Sequence, residues 1–325
     1  MRAVIISSPG GPEALVERTI PDPVPGDGEV LIDVAAAGLN RADLMQRQGR
    51  YPPPPGAPTW PGLEVSGTII TLGRGVQGWA VGDRVCALLS GGGYADRVAA
   101  PAGHLLPVPA GIDLVDAAGL PEATCTAWSN LVDAGRLRAG EWALVHGGSG
   151  GVGSIAIQLA AALGAHVAAT AGGPDRVARC VALGAELAID HRTESFTRAV
   201  ARGTGGRGVD VVLDVLGAGA LAANLEALAT GGRLVVIGLQ DGRRVDLDLG
   251  LLLARRLSVI GTTLRARPDD EKASIVAAVR ANVWPMLDDG RLRPVVHARL
   301  PLSRAAAAHE LLESGQVFGK VLLIP

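Results

Sequence analysis

The stretch VHGGSGGVGSIAIQLAAALGAHV, residues 145–167, carries five glycines in the seven positions 147–153, set between an apolar run and an alanine-rich segment. Bare backbone at such a junction lets amides and a helix N-terminus approach a pyrophosphate with no Cβ atoms in the way. The same letters hold Gly147-Gly148-Ser149-Gly150-Gly151, which matches the G-x-S-x-G elbow of a serine hydrolase. A turn that merely brings a strand close to a helix would also use glycine. Gly148, Gly150 and Gly153 fit G-x-G-x-x-G after an apolar strand and at the start of a helix, the context that gives this pattern its meaning. A hydrolase would need Ser149 with Asp214 or Asp246 and His297 or His309, and one sharp turn rather than a glycine run that opens a phosphate-sized space. A Walker A loop is excluded, because no Lys-Ser or Lys-Thr follows the last glycine.

The next strand, AHVAATAG, arrives about twenty residues later, as a βαβ nucleotide unit requires. An NAD site places Asp or Glu at the end of this strand to hold the ribose hydroxyls. Here Thr170-Ala171-Gly172-Gly173 stands instead, followed by Arg176. That favours NADPH, with Arg176 facing the 2′-phosphate and Gly172 leaving room for it. Asp175 adds an opposing charge, and a solvated arginine on the first turn of a helix is the plainer alternative.

Outward from this unit the chain divides. From residue 1 to about 110, short strands broken by Gly and Pro (AVIIS, EVLIDVAAAG, GTIITLG, DRVCALL, YADRVAAP) read as a β-rich, barrel-like lobe. YPPPPGAPTWPG, 51–62, is neither helix nor central strand, since consecutive prolines lack amide donors; an ordered surface loop is expected. From about 124, apolar strands alternate with helices: EWALVHGG, AHVAATAG, ELAID, VDVVLDVLG, GRLVVIG and LSVIGTT, separated by SIAIQLAAALG, DRVARCVALG and ALAANLEALA. Six strands in this rhythm make a doubly wound parallel sheet. After 264 follow a long helix through 268–290, the strand PVVHARLPL, a helix capped by Ser303 and a terminal GKVLLIP strand, which return to the first lobe. The expected fold is α/β, a Rossmann sheet plus a β-rich domain, with boundaries at 1–123, 124–263 and 264–325.

A formal net charge of −2 without long runs of like charge gives no electrostatic case for nucleic acid or an anionic membrane. MRAVIISSPGGPEAL is too short an apolar stretch for a signal peptide, and no segment reaches the roughly eighteen apolar residues of a membrane span, so a cytoplasmic protein is expected. Cys86, Cys125 and Cys180 are odd in number and widely spaced, which offers neither a disulfide framework nor a zinc knuckle. Partners should be small molecules. The scattered histidines 104, 146, 166, 297 and 309 read as structural.

GLNRADLMQRQGRYPPPPG (38–56), PGLEVSG (61–67), LPEATCTAW (120–128) and VHGGSGGVG (145–153), with the order of lobes, resemble the medium-chain dehydrogenase/reductase superfamily over essentially the whole chain. They are most similar to its NADPH:quinone oxidoreductase branch, the zeta-crystallin-related, p53-inducible quinone oxidoreductase group. The resemblance implies that the β-rich lobe is GroES-like. It also implies a homodimer, with RRLSVIGTT as an edge strand that pairs across a two-fold axis. Zinc members carry Cys near position 40, His in a Gly-His-Glu string and a cluster of cysteines. This chain has Asn40, Gly62-Leu63-Glu64 and no cluster, so no metal is expected and Glu64 takes a structural hydrogen-bonding role.

The implied chemistry is zinc-independent hydride transfer from NADPH to a quinone in the cleft between the lobes. Reduction of an enone or enoyl thioester is the alternative, and a catalytically quiet cofactor-binding protein the third reading. By resemblance Asn40 donates to a developing oxyanion or to the nicotinamide ribose, and Tyr51 orients the acceptor or gives a proton. The cofactor would lie along Thr126, Gly148, Ser149, Gly150, Gly151, Val152, Gly153, Gly172 and Arg176. It would continue past His191, which replaces a tyrosine common in relatives, and Gly238, Leu239, Thr263, Leu264 and Lys320. Asp43 and Arg47 are expected to pair at i and i+4 on one helical face.

Overall fold

The computed structural model describes residues 1–325. The chain forms two compact units, one of residues 1–125 with 264–325 and one of residues 126–263.

In the second unit six strands lie parallel in the order Leu187–Asp190, His166–Ala171, Trp142–Val145, Val209–Asp214, Leu228–Val236, Ser258–Gly261. Numbered within the sheet this is 3-2-1-4-5-6, the doubly wound order, and strand order reverses between Trp142–Val145 and Val209–Asp214. The central strand Val209–Asp214 is buried at every residue, as a strand covered on both faces must be, and Leu144, Val212 and Leu234 share one core cluster. Helices Gly151–Ala162, Pro174–Ala182 and Leu221–Ala227 occupy the intervals read as helical. Two further helices, Phe196–Gly203 and Leu249–Arg255, complete the crossovers.

In the first unit the ten-residue strand Glu29–Gly38 organises the sheet. It pairs antiparallel with Glu64–Leu72 along most of its length, with Arg97–Pro101 over its first half, and with Lys320–Ile324 at Ala37 and Gly38. Arg84–Leu88, Leu105–Pro107 and Val296–Pro301 extend the sheet to seven strands, and Val30, Ile32, Val65, Ile69, Val85, Tyr94 and Leu323 fill one core. The C-terminal strand thus brings Lys320 to the residues around 38–40.

Two expectations need correction. The long helix after 268 is two helices, Asp269–Asn282 and Trp284–Asp288, because Pro285 has no amide to continue the first and restarts the backbone at the beginning of the second. Ser303 caps nothing. It lies inside the 3-10 turn Leu302–Arg304, and the helix Ala305–Glu313 begins after it. No helix is long and apolar enough to cross a membrane.

Candidate active site

The glycine loop leaves the sheet where chain order reverses, and each glycine answers a different constraint. Gly147 has φ +67°, a conformation that side chains rarely adopt. A Cβ on Gly148 would lie 2.9–3.1 Å from Ile157, Cys180 and Ala169, so this residue lets the loop press onto helix and sheet. A Cβ on Gly153 would lie 2.1 Å from Gly147 O, so only glycine permits the helix to start so close to the loop. Gly150, the residue before helix Gly151–Ala162, would meet nothing nearer than Gly147 O at 3.3 Å. No side chain caps that helix, and the first amides of a helix have no partner within it. Ser149, Gly151 and Val152 are half-buried beside this opening. The loop is anchored from below, since Gly147 N donates to Thr170 Oγ1 (3.2 Å) and Gly148 N to Thr170 O (2.8 Å). These features fit a pyrophosphate. They give Asp214 no part in a hydrolase triad, because it spends its oxygens on the amides of Leu216 (2.8 Å) and Gly217 (3.0 Å), and Asp246, the other acid considered, is exposed.

At the end of the neighbouring strand three basic side chains converge on Gly172. Arg176 Nη1 donates to Gly172 O (3.3 Å). A Cβ on Gly172 would lie 3.0 Å from Arg192 Nε and 3.1 Å from His191 Nε2. Asp190 ties the corner together by accepting from Gly173 N (3.0 Å) and Arg192 N (3.1 Å), and these amide bonds, Gly173 first, hold its carboxyl below the usual range. Arg192 was not among the residues read from the sequence. Its signal was its place two residues after ELAID, the third strand, whose end lies beside that of the second.

Gly238 and Leu239 follow the fifth strand and pack on the turn after the fourth: a Cβ on Gly238 would lie 2.8 Å from Val215 O, and Gln240 N donates to that oxygen (3.1 Å). The glycine loop reaches the same turn, with a Cβ on Gly147 lying 3.4 Å from Val215 Cγ2. Leu239 is 55% exposed, a large apolar side chain held out at the carboxyl end of the sheet. Thr126 is buried and its carbonyl accepts from Asn130 Nδ2 (2.8 Å), while Asn130 Oδ1 accepts from Thr262 Oγ1 beside Thr263. Leu264 is buried in the other unit. His146 is a satisfied core residue, donating from Nε2 to Asn224 Oδ1 (2.7 Å).

The first unit holds a buried polar ring. Lys320 Nζ donates to Asn40 Oδ1 (2.6 Å) and to Glu64 Oε1, and Asn40 Nδ2 donates to Glu64 Oε1 (3.0 Å) and Gly38 O (3.3 Å). Asn40 is 8% exposed and all its amide atoms are engaged, which differs from the free donor expected of it. Lys320, assigned to the cofactor by resemblance, is an internal counter-ion of Glu64. Glu64 Oε2 accepts from Glu122 N (2.9 Å). The Glu122 side chain is half-buried, yet its Oε2 is shut off from solvent without a hydrogen-bond partner. Burial first, then the charge of Glu64, push the Glu122 carboxyl up to about 8.

Asp43 and Arg47 do not pair. Asp43 accepts from Asn40 N (2.8 Å), Gly62 N (3.0 Å) and Tyr94 OH (3.2 Å), and burial raises it to about 6 against the pull of those amides. Arg47 turns instead to Glu313 (2.6 Å) and Gly10 O (3.1 Å), reaching across the unit because the C-terminal helix supplies an exposed-edge carboxylate. His309, between Tyr94 and Arg47, is pushed down to about 3 by burial and by the Arg47 charge. Tyr51 is half-buried at the start of the proline loop, its ring 5.3 Å below the Arg265 guanidinium.

Two family descriptions match, "Alcohol dehydrogenase GroES-like domain" over residues 26–110 and "Zinc-binding dehydrogenase" over 151–280. Quinone oxidoreductase of Rattus norvegicus is 33% identical over 327 residues, covering 100% of this chain and 98% of its own. The chain belongs to the medium-chain dehydrogenase/reductase superfamily, in its quinone oxidoreductase branch. It is an oxidoreductase. Among solved structures, Escherichia coli quinone oxidoreductase complexed with NADPH superposes with a TM-score of 0.90 at 29% identity, covering 100% of both chains. An NAD-dependent alcohol dehydrogenase superposes with a TM-score of 0.89 at 34% identity, also covering 100% of both. The zinc in the second family description does not suit this member of the superfamily. Position 63 offers a buried leucine, position 40 an amide, and the Lys320 ammonium already neutralises Glu64.

Proposed function

We propose that this chain is an NADPH-dependent quinone oxidoreductase that works without zinc. The observation that carries the cofactor choice is the convergence of Arg176, Arg192 and His191 on Gly172, at a strand end whose neighbouring carboxylate, Asp190, is engaged by the amides of Gly173 and Arg192. Two guanidinium groups there favour a 2′-phosphate, which an NAD site would repel with an acid. The quinone comes from the rat and E. coli relatives named for that activity.

In this reading Ser149 and the uncapped first amides of helix Gly151–Ala162 hold the pyrophosphate. Gly148 and Gly150, whose own amides are bonded to Thr170 O and Gly147 O, keep its seat clear of side chains. Gly238, Leu239, Thr126, Thr263 and Leu264 line the remainder of the cofactor. The bound cofactor supplies hydride to a conjugated acceptor, which spreads the incoming charge onto its own oxygen and so tolerates the lack of a Lewis acid. One proton is taken up per quinone reduced to hydroquinone, and Tyr51 is its proposed donor. Asn40 serves a developing oxyanion by exchanging its 3.3 Å bond to Gly38 O, the longest in its set, while Lys320 keeps the amide oriented. We assign residues 1–123 and 264–325 to the acceptor side and 124–263 to the cofactor side. A homodimer is proposed through Ser258–Gly261, the outermost strand of the six, whose Val259 is exposed. The proposed compartment is the cytoplasm.

The test is loss of NADPH absorbance with a panel of 1,2- and 1,4-quinones, a simple enone and an enoyl thioester. Turnover with quinones above the alkenes is expected. Alkene turnover alone would make the chain an enone reductase, and tight NADPH binding with no turnover would make it a cofactor-binding protein.

A further inference from the structure

The proline loop that follows Tyr51 has few means of holding its own shape. Pro52, Pro53, Pro54 and Pro55 have no amide hydrogens, and Ala57 N to Pro54 O (3.1 Å) is the one backbone bond within it. Its ends are held from outside. Arg265, 3% exposed, donates from Nη1 to Tyr51 O (3.3 Å), from Nε to Ser90 O (2.8 Å) and from Nη2 to Gln46 Oε1 (2.7 Å). Gln46 passes the contact on, donating from Nε2 to Thr59 O (2.8 Å) at the far end of the loop. Trp60 Nε1 to Gly92 O (2.9 Å) and Gly92 N to Trp60 O (2.9 Å) fasten the exit. The guanidinium also stacks over the Tyr51 ring at 5.3 Å.

Every hydrogen-bond acceptor of Arg265 is neutral, and no carboxylate lies within ion-pair distance of it. Asp43 and Glu122 act on the guanidinium only through space, so its burial is costly, and a packing role alone would be filled more cheaply by an apolar side chain. A planar fork of donors is what this place uses: one bond to each of three chain segments, with ring and main chain of the same tyrosine addressed together.

We propose that Arg265 is a specificity-determining positioning residue, which through Gln46 clamps both ends of the 51–60 loop and sets the width of the wall that Tyr51 presents to the acceptor. The proposal rests on the reading that this loop faces the quinone. With the clamp closed, a single planar ring is held against a fixed wall. With it released, the wall moves outward and larger fused-ring quinones lose less than small ones.

The experiment compares 1,4-benzoquinone with 9,10-phenanthrenequinone in the wild type, Arg265→Met, Arg265→Lys and Gln46→Leu, together with deuterium uptake of the 51–60 peptide. Arg265→Met should raise KM for benzoquinone more than it lowers kcat, and shift the kcat/KM ratio toward phenanthrenequinone by about tenfold. Gln46→Leu, which frees only the Thr59 end, should shift it the same way by less, and Arg265→Lys should recover part of it. Uptake should rise in 51–60 and, in Arg265→Met alone, beside Ser90, whose carbonyl the guanidinium also holds. Faster uptake with an acceptor ratio unchanged within twofold would reduce the clamp to a structural brace and overturn the proposal, as would unaltered uptake in both variants. A wild type that reduces neither quinone would instead overturn the functional reading on which the proposal stands, a result visible before any variant is made.

Discussion

The two units treat charge in opposite ways. In residues 126–263 the candidate cofactor groups stay open: no side chain caps helix Gly151–Ala162, whose first amides have no partner within it, and two arginines crowd one peptide with Asp190 steadying the corner. In the other unit Glu64, Lys320, Asp43 and Arg265 are all buried, each satisfied by neighbours from distant parts of the chain. An open cluster of donors is suited to an anion that comes and goes. A closed ring orients one amide and one loop permanently, at the cost of desolvating ions. The first kind of site should lose binding when altered, and the second should lose stability.

The sharpest way to break this contrast is Lys320→Met, which strands Glu64 without a counter-ion. It should destabilise the protein by about 3–5 kcal/mol in urea denaturation, and Glu64→Gln added to it should restore most of the loss. A single-variant cost below about 1 kcal/mol would mean that the ring is not a closed ionic unit. A smaller effect is expected at Glu122. Its proton stays on up to about pH 8 in the folded chain but leaves near the ordinary 4.5 when unfolded, so its contribution to stability falls as pH rises through that window. Glu122→Gln should flatten the decline between pH 4.5 and 8, gaining on the order of 1–3 kcal/mol at pH 8. Parallel stability curves for variant and wild type would put the carboxyl elsewhere.

The same contrast explains what was legible in the sequence. The glycine loop, the six-strand rhythm and the missing acid after AHVAATAG are local, and a nucleotide site is built from consecutive residues at strand ends. Arg192 escaped because its relevance depends on two strand ends being neighbours. The ring of Asn40, Glu64, Glu122 and Lys320 draws on four segments separated by tens of residues, so neither spacing nor period announces it. Helical spacing even misled at Asp43 and Arg47, where tertiary partners, Tyr94 and Glu313, outcompeted an i,i+4 pair worth only a few tenths of a kcal/mol. Pro285 was visible and should have divided its helix.

The most direct test of the cofactor assignment is titration calorimetry with NADPH and NADH on the wild type, Arg176→Ala, Arg192→Ala and the double variant. The wild type should bind NADPH at least about tenfold more tightly than NADH, each single variant should erode that ratio severalfold, and the pair should bring it near one. Equal affinities in the wild type, or a ratio the double variant leaves untouched, would contradict a 2′-phosphate seat at Gly172.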